Sequence, residues 1–89
     1  MKVHIPTPLR SYTHGRPSVD VAGGTLAAVL DALDQGYPGF KFRVVDEQGG
    51  VRRHIKLFVG AELTEDLAAP VGEGEEVSII CALSGGASE

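Results

Sequence analysis

Four stretches of the chain alternate apolar and polar residues with period two, and one stretch has the period of a helix. Val3 and Ile5 alternate with Lys2 and His4, the pattern of a half-buried strand. Pro6 and Pro8 end it, because proline has no N–H to give a ladder. Ser18-Val19-Asp20-Val21 alternates again and predicts a second strand over 17–22. His54-Ile55-Lys56-Leu57-Phe58-Val59 puts Ile55, Leu57 and Val59 on one face, expected to be the core face. His54, Lys56 and Phe58 fall on the other, so Phe58 is expected to be an exposed aromatic. In the last stretch Val77, Ile79 and Cys81 share one face, and Ser78, Ile80 and Ala82 share the other.

The helical stretch lies between Gly23-Gly24 and Gly36. Leu26, Val29, Leu30 and Leu33 recur at i, i+3, i+4 and i+7, one apolar stripe of an amphipathic helix. Ala27, Ala28 and Ala32 favour helix. Thr25 is placed to cap the start. Gly36 is expected at C′, with Pro38-Gly39 blocking continuation. Burying the four aliphatic side chains contributes at most roughly 1.5–3 kcal/mol each. A helix of about three turns does not persist alone in water, so it must lie on a sheet.

The remaining segments are less regular. Residues 7–17 form a loop rich in turn formers, with Leu9 and Tyr12 apolar enough to fold back on the molecule. Phe40, Phe42, Val44 and Val45 suit either a short strand or a covered loop, and Asp46–Gly50 is a turn. Gly60-Ala61-Glu62 is expected to turn the chain. Leu63, Leu67 and Val71 are expected to peg a loop, with a short 3₁₀ turn, to the core, and Pro70, Gly72 and Gly74 make a further turn. The element order predicts an α+β fold: a mixed sheet of four to five strands, with one main helix across one face and the other face open. The first and last strands are expected side by side at its centre. One domain spans 1–83, and 84–89 are expected to be a flexible C-terminal tail.

Composition narrows the function. A chain of 89 residues forms one small domain with a thin core, and we expect no active site of its own. The formal net charge of −4 argues against nucleic acid and against an anionic membrane surface. No apolar run reaches the length of a membrane span, and the first residues do not resemble a signal peptide. A single cysteine, Cys81, allows no internal disulfide. Together these fit the cytoplasm. His4, His14 and His54 follow no metal-ligand spacing, so no metal is expected. Cys81 reads as a small buried apolar residue, and Asp31, Asp34 and Thr64-Glu65-Asp66 as solvated surface.

Two features remain unexplained by packing. One is the tail Leu83-Ser84-Gly85-Gly86, thin enough to enter a narrow channel because glycine lacks a Cβ. Its plainer reading is a frayed terminus. The other is the pair Phe58 and Ile80 on the open face, which Pro6 and Leu83 would extend. A contiguous apolar patch on a small protein marks a partner site.

These features resemble the MoaD/ThiS family of ubiquitin-like sulfur carriers, nearest its CysO-like branch. The residues that carry the resemblance are Ile5-Pro6-Thr7-Pro8-Leu9-Arg10, the Thr25–Leu33 helix, His54–Gly60, and Gly74–Gly86. It implies the β-grasp fold. It also implies that an E1-like enzyme adenylates the Gly86 carboxylate with ATP, and that a rhodanese-type or other sulfurtransferase supplies the sulfur that replaces AMP. The resulting thiocarboxylate serves a sulfur-accepting synthase making cysteine, molybdopterin or a thio natural product. The implied carrier holds no permanent cofactor and is a monomer when free. Pro6, Phe58, Ile80 and Leu83 would dock its partners. Ala87-Ser88-Glu89 follow Gly86 here, so a JAMM-type metalloprotease is expected to cut between Gly86 and Ala87. A ubiquitin-like modifier joined to lysines through Gly86 is the alternative, and an inert β-grasp interaction module is a third reading.

Overall fold

The computed structural model describes residues 1–72 and 74–81. Five strands form one sheet: β1 (Lys2–His4), β2 (Ser18–Asp20), β3 (Ile55–Val59), β4 (Glu62–Thr64) and β5 (Val77–Cys81). Their spatial order is β2-β1-β5-β3-β4. The first and last strands pair in parallel at the centre, Val3 with Val77 and His4 with Ser78. The other pairings are antiparallel. This is the mixed sheet the periodicity predicts, with five strands. The two edge strands are three residues each, short enough to offer little template for stray pairing.

The helix α1 (Leu26–Gly36) lies against the sheet. Its stripe of Leu26, Val29, Leu30 and Leu33 is fully buried against Val3, Ile5, Ile55, Leu57, Val77 and Ile79. The first N–H groups of a helix lack partners within it, and here three are met. Thr25 Oγ1 accepts from Ala28 N at 3.1 Å. The carbonyls of Ala69 and Leu67 accept from Leu26 N and Ala27 N. The 65–71 segment is therefore tied to the helix start, which explains why Val71 is buried and Leu67 packs on the core.

Four expectations are corrected. α1 runs through Gly36, and Tyr37 is the cap, at φ −136°. A residue before proline is pushed towards extended backbone, so Pro38 ends the helix one residue later. The left-handed turn falls on Gly39, at φ 92°. Residues 7–13 form a 3₁₀ helix rather than a loop. In a 3₁₀ helix residues i and i+3 share a face; this turns Leu9 and Tyr12 inwards together, with Leu9 buried and Tyr12 half-buried.

The stretch Phe40–Val44 is neither strand nor loop but a short helix, α2. Its alternation mimics a strand, yet only Phe40 and Val44, four apart, are buried, while Phe42 is 56% exposed. Asp34 Oδ1 starts the turn by accepting from the backbone of Gly39 and Lys41, both at 3.1 Å. Asp34 is thus a helix-capping group as well as a surface residue. Finally, Leu63 is not pegged to the core. It lies in β4 and is 54% exposed. Gly60 and Ala61 form a two-residue hairpin turn between paired Val59 and Glu62, with Gly60 at φ 61°, the conformation such turns require.

Removing the hydroxyl with Thr25→Ala should lower stability by about 1 kcal/mol, read from urea denaturation. The Leu67 and Ala69 carbonyls stay in place, so the α-helical circular dichroism of the native state should be unchanged.

Candidate functional site

The open face of the sheet is built by the residues that alternate away from α1. Register places Leu63, Phe58, Ser78, His4 and Ser18 in one row across all five strands. Two residues further along, Lys56 sits opposite Ile80. The β1–β5 register, continued past His4, brings Pro6 to the level of Ile80. Three of the four expected docking residues therefore share this face. Ile80 is 46% exposed and Pro6 is half-buried.

Phe58 is half-buried rather than exposed. It is flanked by Leu63 on one neighbouring strand and Ser78 on the other. Directly paired residues stand about 5 Å apart at Cβ, so both flanks cover the ring. The sequence reading missed Leu63 as part of this patch. The signal was present in the Gly60-Ala61 pair, because a two-residue turn fixes Leu63 opposite Phe58 and on its side of the sheet.

Polar groups border the patch. His4 Nε2 and Glu76 Oε1 are hydrogen-bonded at the exposed edge of the patch. The His4 contact holds the Glu76 carboxyl below its ordinary value. Lys56 lies within the patch beside Ile80. Cys81 ends β5 and is partly buried rather than fully so. Burial pushes its thiol up, which keeps it protonated and a poor nucleophile at neutral pH. No cluster of three potential metal ligands forms among the described residues, and no helix among them is long and apolar enough to cross a membrane.

Leu83, Ser84, Gly85, Gly86 and Ala87 lie outside the described residues, so the docking role of Leu83, the tail, the attachment site and the processing site are not placed. What is placed is their root. β5 lies between β1 and β3; it pairs with β1 at Val77 and Ser78 and with β3 along its whole length to Cys81. The last described residue, Cys81, thus stands on an interior strand of the sheet, one residue beyond the exposed Ile80.

The comparisons with known proteins match this arrangement. The model of the ThiS family matches residues 3–86. The sulfur carrier protein CysO of Mycobacterium tuberculosis is 36% identical over 89 residues, covering 94% of this chain and 96% of that protein. In the crystal structure of the Amycolatopsis orientalis BexX/CysO complex, the matching chain superposes with a TM-score of 0.87 at 34% identity, covering 96% of this chain and 98% of that one. The small archaeal modifier protein SAMP1 of Haloferax volcanii superposes with a TM-score of 0.76 at 28% identity, covering 97% and 98%. The β-grasp fold and the kinship with sulfur carriers are thereby established.

The patch itself is open to test. Ile80→Ala and Leu63→Ala remove exposed side chains and should each change stability by no more than about 0.5 kcal/mol. Leu57→Ala, on the buried face of the same sheet, should cost about 2–5 kcal/mol. Urea denaturation of the three variants separates the faces; a large loss for Ile80→Ala would put that side chain in the core.

Proposed function

The chain belongs to the ThiS family, and from that premise we propose that it carries activated sulfur on Gly86. The observation that carries the reading is the extent of the family match, which runs to residue 86, the second glycine of the Gly85-Gly86 pair. The identity with CysO, a sulfur carrier, supports it over 94% of the chain. The proposed sequence begins with removal of Ala87-Ser88-Glu89 by a JAMM-type protease, which frees the Gly86 carboxylate.

A carboxylate is a poor acyl donor. An E1-like enzyme would join the Gly86 carboxylate to the α-phosphate of ATP, releasing pyrophosphate. Sulfide from a sulfurtransferase would then attack the acyl carbon and expel AMP, leaving a thiocarboxylate. That group is a soft nucleophile on a thin tether, and a synthase would use it as its sulfur source. The carrier supplies no acid or base. Its part is to dock: Ile80, Phe58, Leu63 and Pro6 form an apolar surface beside the root of the tail. The BexX/CysO complex, in which such a carrier was captured with a partner protein, supports a docking role.

A second reading has a specific observation in its favour. SAMP1 is named a modifier protein and shares this fold at 28% identity. In that reading the Gly86 acyl group is passed to a lysine amine rather than to sulfide. Intact mass decides between them. The chain ending at Gly86, given its adenylating enzyme, ATP and sulfide, should gain the mass of one oxygen-to-sulfur exchange. Lysine adducts without that exchange would favour the modifier, and no change at all would overturn both readings.

A further inference from the structure

A notch at the end of the sheet, where β5 gives out, is lined by Pro8 and Tyr12 of the 3₁₀ helix, Arg43 of α2, His54 before β3, and Cys81. None of its described lining residues is acidic, although the chain carries twelve carboxylates against eight lysines and arginines. Ile80 and Cys81 are adjacent in β5 and alternate to opposite sides of the sheet. The notch and the apolar patch therefore flank the root of the tail from its two sides.

Arg43 is the notable group. Its Nε donates to the Tyr12 hydroxyl, and its guanidinium lies 5.5 Å from the centre of the Tyr12 ring. Tyr12 in turn meets the fully buried Phe40 edge to face, with ring centres 6.3 Å apart at 88°. The guanidinium is thus fastened to the core through an aromatic pair. Among the described residues Tyr12 is its only hydrogen-bonding partner, and no acidic side chain among them lies within salt-bridge distance of it. A guanidinium presents five donors in a planar fork suited to a carboxylate. One is used by Tyr12, and among the described residues the other four have no partner. A side chain already held in place loses less freedom on binding.

Resting on the carrier reading above, we infer that this notch is a second docking point, taking a carboxylate side chain from the rim of the enzyme site that receives the tail. Gly86 lies five residues beyond Cys81, and fully extended that span reaches at most about 18 Å. When Gly86 is in a partner's active site, the notch therefore lies at the mouth of that site. A carboxylate there would meet Arg43 two-pronged, with His54 beside it. The apolar patch sets affinity for the carrier, and the notch fixes its rotation about the tail.

Isothermal titration of the chain ending at Gly86 against its E1-like adenylating enzyme, without ATP, tests this. Arg43→Ala should weaken binding about tenfold or more, and Arg43→Lys should restore part of it. Tyr12→Phe, which keeps the ring and frees the fork, should give a smaller loss. Wild-type affinity should fall more steeply with salt than that of Arg43→Ala. Thermal melts check that the variants are folded, and Ile80→Ala serves as the comparison for the apolar patch. If Ile80→Ala weakens binding and folded Arg43→Ala stays within about twofold of wild type, the notch is overturned and the carrier reading stands. An Arg43 effect that appears only when ATP is added would show a phosphate in place of the carboxylate, and also overturns it. If the wild-type chain does not bind the enzyme at all, the carrier reading fails with it.

Discussion

The parallel pairing of β1 with β5 is the constraint on which the rest of the molecule depends. It joins Val3 to Val77 and His4 to Ser78, across nearly the whole length of the chain. With β3 on its other side along the whole strand, β5 is held on both edges at Val77 and Ser78 and by β3 from there to Cys81, so its direction is fixed. Cys81, the last described residue, therefore stands on an interior strand of the sheet. A tail rooted in an edge strand would emerge beside loops. Here the starting point, Cys81, lies between the open apolar face and the Tyr12–Arg43 notch. The same pairing makes the sheet dependent on contacts far apart in sequence, since its central strand is made last. Closing such distant contacts is the slow part of folding, so the sheet and the root of the tail form together.

The strongest periodicities were legible because each had one buried face. β1, β3, β5 and α1 all followed from alternation or from the 3.6-residue stripe, and the buried residues are those the pattern chose. The misreadings share a physical cause, which is that short segments obey neighbours more than period. Phe40-Lys41-Phe42-Arg43-Val44 alternates like a strand, but Asp34 caps its start and makes it one helical turn. Glu62-Leu63-Thr64 is too short to show any period, and only its hairpin turn reveals it. Gly36 looked like a stop signal, but Pro38 dictated the stop through Tyr37.

The candidate site was legible in a different way. The tail announces itself by what it lacks, bulk and periodicity, and the patch by apolar residues on the wrong side of an alternation. Phe58 was placed on the correct face, but its exposure depends on Leu63, which belongs to a strand the pattern did not show. The notch was not legible at all. Tyr12, Arg43, His54 and Cys81 lie on four separate segments, and only the topology collects them. Neither Arg43 nor Tyr12 is unusual where it stands in the sequence. Their meaning comes from Phe40 beneath them, in a helix that reads as a strand.

On the proposed reading the chemistry lies on the terminal carboxylate, and such a carrier cannot use its own side chains to choose a partner at the reacting atom. Glycines offer a partner almost nothing to recognise, so selectivity has to come from the folded domain. A single apolar patch supplies affinity but leaves the carrier free to turn about its contact, because apolar burial is not directional. Turning displaces the tail even while the patch stays buried. A directional contact on the opposite side of the root removes that freedom, and a guanidinium fork is among the most directional groups a protein has. It also discriminates: a partner without the matching carboxylate must strip water from Arg43 with nothing in return. The two surfaces therefore do different work. On the proposed reading the patch supplies binding, and the notch sets how the carrier is turned so that Gly86 arrives in line.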